Sequence, residues 1–202
     1  MRSAAPGRSL RSRDEVSDPG APELELRPVA RIDDILPRYR NTPIELMLRY
    51  HNLGEPRPPS GGSPVMLVSM CMDHRKELHV PNEFAYVLRS AGGNLRDSEF
   101  EVSYAVAVGG VSTIALLAHT DCGMAHVTAK HDRFVEGLVR RAGWAREDAE
   151  RHFADAASRY EIGDATRFVA GETRRLRERY PSLLIAPFLY SVEDDKLAQV
   201  VY

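Results

Sequence analysis

The sequence predicts an α/β fold: a mostly parallel central β-sheet flanked by helices and entered through an N-terminal helical arm. Three observations carry this expectation. Compact apolar runs at 65–70, 84–88 and 113–118 have strand length and turn or polar residues at their flanks, as parallel strands buried on both faces do. Helical patterns alternate with these runs, which is the order of a parallel sheet. A hydrophobic content of 43% in 202 residues is enough for one core with an extension.

Taken in order, residues 1–27 are rich in Pro, Gly, Ser and charge without periodicity, and are expected to lack fixed structure. The arm and its linker should occupy 28–64. Within it a helix is expected from 32 to 51. Thr42-Pro43-Ile44-Glu45 offers a capping Thr, Pro at the first helical position and Glu three residues after the cap, and Gly54 offers a stop. Residues 55–64 are a Pro/Gly-rich linker. The α/β domain should fill 65–202. Between its second and third strands, Ser98-Glu99-Phe100-Glu101 reads as a capping box opening a helix to about residue 108, ended by Gly109-Gly110. Helices follow at about 132–142, 146–159 and 164–180, closed by Pro181. A strand at 183–190 and a short last one at 197–202 complete the order.

Charge narrows the function. Lys and Arg number 27 against 29 Asp and Glu, a net of −2, which offers no basic surface for nucleic acid. No apolar run approaches the roughly 20 residues that span a bilayer, and no secretory apolar core stands at the N-terminus. The first 13 residues are Arg- and Ser-rich and acid-free, but Pro6 and Gly7 spoil an amphipathic helix there. A cytoplasmic protein without membrane or nucleic-acid partner is the expectation.

The chain has two cysteines, and their neighbours point to chemistry. Cys71 opens Cys71-Met72-Asp73-His74-Arg75 where the first strand ends; His119 and Cys122 stand in His119-Thr120-Asp121-Cys122-Gly123 where the third ends. In an open parallel sheet the carboxyl ends of strands are where ligands bind. Two thiolates and an imidazole suit tetrahedral zinc, and three protein donors leave a fourth position for water, the pattern of catalytic sites. Such a zinc is formally neutral, so its water needs help. Asp73 is placed to accept the hydrogen of the attacking oxygen, with Arg75 holding that carboxylate ionised. An ordinary loop ion pair is the plainer reading of the two.

Cys71-x-Asp73-x-Arg75 followed by His119-x-x-Cys122-Gly123 resembles the signature of the β-class carbonic anhydrases. The resemblance is strong over 65–127 and weak to the end, and it points to a divergent branch. Arg89-Ser90-Ala91-Gly92-Gly93 is similar to that family's Arg-Asn-Ala-Gly-Asn turn, with Ser90 and Gly93 in place of asparagines. The resemblance implies zinc on Cys71, His119 and Cys122, and hydration of carbon dioxide to bicarbonate and a proton by zinc-bound hydroxide. It also implies Asp73 and Arg75 as the catalytic dyad, and Tyr86, Tyr104 and Gly123 around the substrate. Closed forms occur in some members, in which the aspartate itself becomes the fourth ligand; the sequence leaves both states open for Asp73. Many members carry a glutamine donor where this chain has Gly62. Related enzymes hydrolyse carbonyl sulfide or carbon disulfide, so those substrates stay open, as does a silent zinc module responsive to bicarbonate. The family's helical arm wraps a partner, which implies a homodimer or tetramer. His74, His79 and His126 are candidates for proton export.

Overall fold

The computed structural model describes residues 23–57 and 62–202. Among these, six strands form one mixed sheet in the order β1-β6-β5-β4-β2-β3. The strands are β1 (Glu25–Pro28), β2 (Met66–Cys71), β3 (Ala85–Ser90), β4 (Thr113–His119), β5 (Leu184–Ser191) and β6 (Lys196–Val201). The four strands β3, β2, β4 and β5 run parallel, and β6 and β1 are added antiparallel on one side. The helices are α1 (Pro43–His51), α2 (Glu99–Ala107), α3 (His131–Ala142), α4 (Arg146–Tyr160) and α5 (Ala165–Arg179). The expected α/β class therefore holds.

The apolar runs lack alternation because both sheet faces are covered. Ala115 and Leu117 of β4 face one layer, with Val68, Met70, Phe188 and the arm residues Tyr39, Ile44, Met47 and Leu48. Ile114, Leu116 and Ala118 face the other, with Val102 and Ala105 of α2 and Val169, Ala170 and Leu176 of α5. β2 and β4 are buried along their whole length, and their ends are where the site sits.

The arm departs from the expected continuous helix. Only single 3₁₀ turns form at Ile32–Asp34 and Pro37–Tyr39 before α1 begins. Pro37 forces Leu36 into an extended conformation, and Asn41 takes a left-handed φ of 58°. Thr42 caps α1 as expected, its hydroxyl accepting from the Ile44 N–H at 3.2 Å. Glu45 reaches past the cap to accept from the Asn41 N–H. The arm is fastened to β6 by two buried amides. Asn52 bonds the backbone of Val29 and Leu197, and Gln199 bonds that of Asp34 and Leu36.

Two further expectations are corrected. Fixed structure starts earlier than residue 28, because β1 pairs antiparallel with β6, a pairing that a four-residue exposed strand does not announce. Residues 1–22 lie outside the described residues, as does 58–61 of the linker. Ser98 precedes α2, but its side chain makes no cap bond. A 3₁₀ turn at Arg96–Ser98 leads into the helix, and Glu99 turns instead to Arg175 and Arg179 of α5.

Candidate metal centre

Parallel pairing of β2 with β4, through Met70 beside Leu117, brings the two strand ends side by side. Cys71 is the last residue of β2 and His119 the last of β4. Two residues of turn then return Cys122 toward both. The sulfur and ring-nitrogen atoms of Cys71, His119 and Cys122 all lie within 4.8 Å of one another, and all three residues are buried.

The polar atoms of this group fit a metal. His119 Nδ1 lies 2.9 Å from the Thr120 carbonyl, so it carries the proton and donates. Nε2 is then the lone-pair nitrogen, and it is buried without a hydrogen-bond partner. A buried imidazole nitrogen left unpaired, with its opposite nitrogen fixed by a carbonyl, is the arrangement of a metal-ligating histidine. The Cys122 hydrogen bond, opposed by burial and aided by the Asp73 and Gly92 N–H groups, pulls the Cys71 thiol down toward the thiolate, and that thiolate pushes Cys122 up. A cation would relieve the repulsion of two thiolates. Two sulfurs and one imidazole suit zinc, with one position left over.

Beside the donor set, Asp73 and Arg75 form a two-point pair, Nε to Oδ1 at 3.1 Å and Nη2 to Oδ2 at 2.8 Å. The Arg75 N–H adds a third bond to Oδ1 at 2.9 Å. The guanidinium, opposed by burial, holds the Asp73 carboxyl far below the usual carboxylate range. Sequence reasoning missed four neighbours. Asp121 binds the same guanidinium. Arg89, at the end of β3, donates to the carbonyls of Cys71, Asp73 and Lys76 and so staples the 71–76 loop. Lys76 is buried, its ammonium on the Asp73 carbonyl at 3.4 Å, and desolvation lowers its pKa. Thr120 accepts from the Val192 N–H and ties the His119 loop to β5. Thr120 and Asp121, standing between two candidate ligands, and Arg89, opening the Arg89–Gly93 turn, had positions that could have signalled their part; Lys76 had none.

The turn after β3 explains two glycines. Gly93 has φ +74°, and a Cβ there would meet the Leu117 carbonyl at 3.3 Å and the Cys71 N at 3.6 Å. Gly92 has φ +68°, and a Cβ would come within 2.7 Å of Ile162. The turn packs against the Cys71 strand end, and Gly93 occupies a left-handed conformation that asparagine also tolerates.

The chain does not bring its expected aromatic residues to its own centre. Tyr86 pairs with Leu67, four residues before the Ser90–Cys71 pair, about 13 Å along the strand. Its ring lies against Gly109 beyond the end of α2. Tyr104 is exposed on α2, next to Ser103, which bonds Tyr180 at the far end of α5. Gly123 does follow Cys122 directly, with its carbonyl taken by Lys130. Gly62 precedes β2, at the sheet end away from the donor set. A cleft of about 530 Å³ opens onto His119 and Cys122, with Thr120, Asp121, His126 and Asp164 in its lining. His79 lies elsewhere, bonded to Asp195, and His74 is exposed.

No protein-family model matches the sequence, and no curated protein matches it. Solved structures are similar to it in fold. A carbonic anhydrase from Glaciozyma antarctica aligns with a TM-score of 0.56 at 22% identity, covering 82% of this chain and 99% of that one. β-Carbonic anhydrase isoform I from Trichomonas vaginalis gives 0.58 at 22% identity, covering 74% and 90%. A carbon disulfide hydrolase gives 0.51 at 20% identity, covering 76% and 84%. The chain thus has the fold of the β-class carbonic anhydrases.

Proposed function

We propose that this protein is a zinc-dependent carbonic anhydrase that reversibly hydrates carbon dioxide to bicarbonate and a proton. The observation that carries the reading is the unpartnered, buried Nε2 of His119 facing two thiols, beside a carboxylate locked by an arginine. Cys71, His119 and Cys122 would hold the zinc. When bound, the metal supplies Lewis acidity that makes water a usable nucleophile near neutral pH.

The chain's own residues supply the rest. Asp73, kept ionised by Arg75, can only accept hydrogen bonds, so it takes the hydrogen of the attacking oxygen and turns a lone pair toward the substrate carbon. The Arg89 staple and the Arg75 N–H keep the 71–76 loop from drifting as charge moves. His126 lines the cleft and is the histidine best placed to pass a proton to bulk water.

Hydrolysis of carbonyl sulfide or carbon disulfide is the second reading. It is favoured by the fold likeness to a carbon disulfide hydrolase. The zinc-loaded protein should acidify a weakly buffered indicator when mixed with carbon dioxide and release no sulfide from either sulfur compound. Sulfide release without acidification would assign the sulfur chemistry. Neither response would leave a silent zinc-binding module.

A homodimer, or a tetramer built from it, completes the reading. Phe100 and Tyr104 of α2 and Val108 at its C-cap form one stripe, exposed to 79%, 53% and 67%. Beside it runs β3, an edge strand among the described residues. A second copy would cover this surface and bring aromatic residues to a centre that has none from its own α2. No described helix is long and apolar enough to cross a membrane; a cytoplasmic location is part of the proposal.

A further inference from the structure

We propose that Asp121 is a positioning residue of the centre. It fixes the guanidinium of Arg75 and, through it, the carboxylate of Asp73. The inference rests on the function proposed above for its catalytic consequence, but its geometry stands alone.

Arg75 does not serve Asp73 only. Its Nη1 donates to Asp121 Oδ2 at 2.7 Å, and its Nη2 donates to the Asp121 carbonyl at 2.9 Å while also holding Asp73 Oδ2 at 2.8 Å. One residue thus presents both its carboxylate and its carbonyl to one guanidinium, at the Nη1–Nη2 edge beside the Nε–Nη2 edge that Asp73 takes. The two aspartates differ in setting. The Asp73 side chain is 14% exposed and the Asp121 side chain 83%. An exposed ion pair is weak by itself, because water and salt screen it. Its value here is geometric. A guanidinium held only by Asp73 can swing with it as a unit, whereas one gripped by two loops cannot.

The grip also spans the centre. Asp73 and Arg75 follow Cys71 at the end of β2, and Asp121 lies between His119 and Cys122 after β4. The Arg75–Asp121 bonds are therefore a cross-tie between the two loops that carry the donor atoms. Asp121 adopts φ +54° to make the turn, a conformation that a residue other than glycine enters at a cost, and that Asp and Asn tolerate best. A side chain at this position must satisfy the turn and still reach Arg75. Aspartate does both.

The test compares Asp121→Gly with Asp121→Asn on the full-length, zinc-loaded protein. Gly removes the carboxylate without straining the positive φ. Asn keeps an oxygen acceptor and the same backbone preference. The direct readout is the set of Arg75 Nη resonances in ¹⁵N NMR at low temperature, identified by their loss in Arg75→Lys. Wild type should show them resolved from the averaged signals of exposed arginines. They should collapse into that average in Asp121→Gly and stay resolved in Asp121→Asn. In parallel, kcat for carbon dioxide hydration should fall about tenfold in Asp121→Gly with KM little changed, as misplacement of a reacting group does. It should recover in Asp121→Asn, at an unchanged zinc content. Resolved Arg75 signals in Asp121→Gly would overturn the inference. So would loss of zinc with those signals intact, which would assign Asp121 to shaping the Cys122 turn. If wild type lacks anhydrase activity, the proposed function fails, while the NMR comparison still decides what holds Arg75.

Discussion

At the scale of single residues, the account rests on where charge and protons sit. Asp73 is ionised because Arg75 neutralises it at two points, so removing the arginine should cost more than a charge. Arg75→Ala should lower kcat by about two orders of magnitude, the lower end of what a positioned proton-handling group contributes, with zinc content maintained. A different residue governs acid stability. His51 is buried, its Nδ1 accepting the His79 N–H, and burial lowers its pKa to about 4, with Asp195 opposing. The neutral ring belongs to the folded state, while the unfolded ring takes a proton near its ordinary value of 6.5. Stability from His51 is therefore fully present above that value and is lost as pH falls toward 4, by about 1.4 kcal/mol per pH unit across the window. Urea unfolding between these limits should show a steeper loss in wild type than in His51→Gln. Equal slopes would remove His51 from the account.

At the scale of elements, the strands and their ends were legible and the joints between elements were not. The runs that became β2, β4 and β5 are apolar on both faces, and burial on both faces needs no partner to be inferred. Cys71 and His119 could be placed at strand ends for the same reason. The strand β1 was illegible because its four residues are exposed and gain order only from β6, far along the chain. The arm misled because Thr42 and Glu45 mark a true helix start, whereas Pro37 upstream already forbids the longer helix. Thr42→Ala should cost about 1 kcal/mol of stability, measured by urea unfolding, since the cap is the one hydroxyl serving the first turn of α1. The two tyrosines lie away from the donors of their own chain for a topological reason. Tyr86 is the second residue of β3 and Tyr104 lies in the last turn of α2, so both belong to the sheet end opposite the donors. If a second copy covers α2, Phe100→Glu with Val108→Glu should turn a dimer into a monomer in sedimentation velocity. A wild-type monomer would contradict the dimer proposal.

At the scale of the whole molecule, the fold makes a centre by bringing together loops from two neighbouring strands whose ligands are 48 positions apart at their nearest, Cys71 to His119. A metal that binds only the folded chain stabilises it by mass action, about 2.7 kcal/mol at a hundredfold excess over Kd. Chelation should accordingly lower the melting temperature by about 5–10 °C for a domain of this size, and zinc should restore it. Cys71→Ser should abolish that response. The central claim is that this centre, with Asp73 beside it, activates water toward carbon dioxide. The most direct measurement is stopped-flow carbon dioxide hydration at mildly alkaline pH, on wild type and Asp73→Ala each shown to hold one zinc per chain. The account predicts rapid turnover in wild type and a loss of about a hundredfold or more in the variant at equal zinc. No turnover above buffer in wild type, or equal turnover in the two proteins, would contradict it.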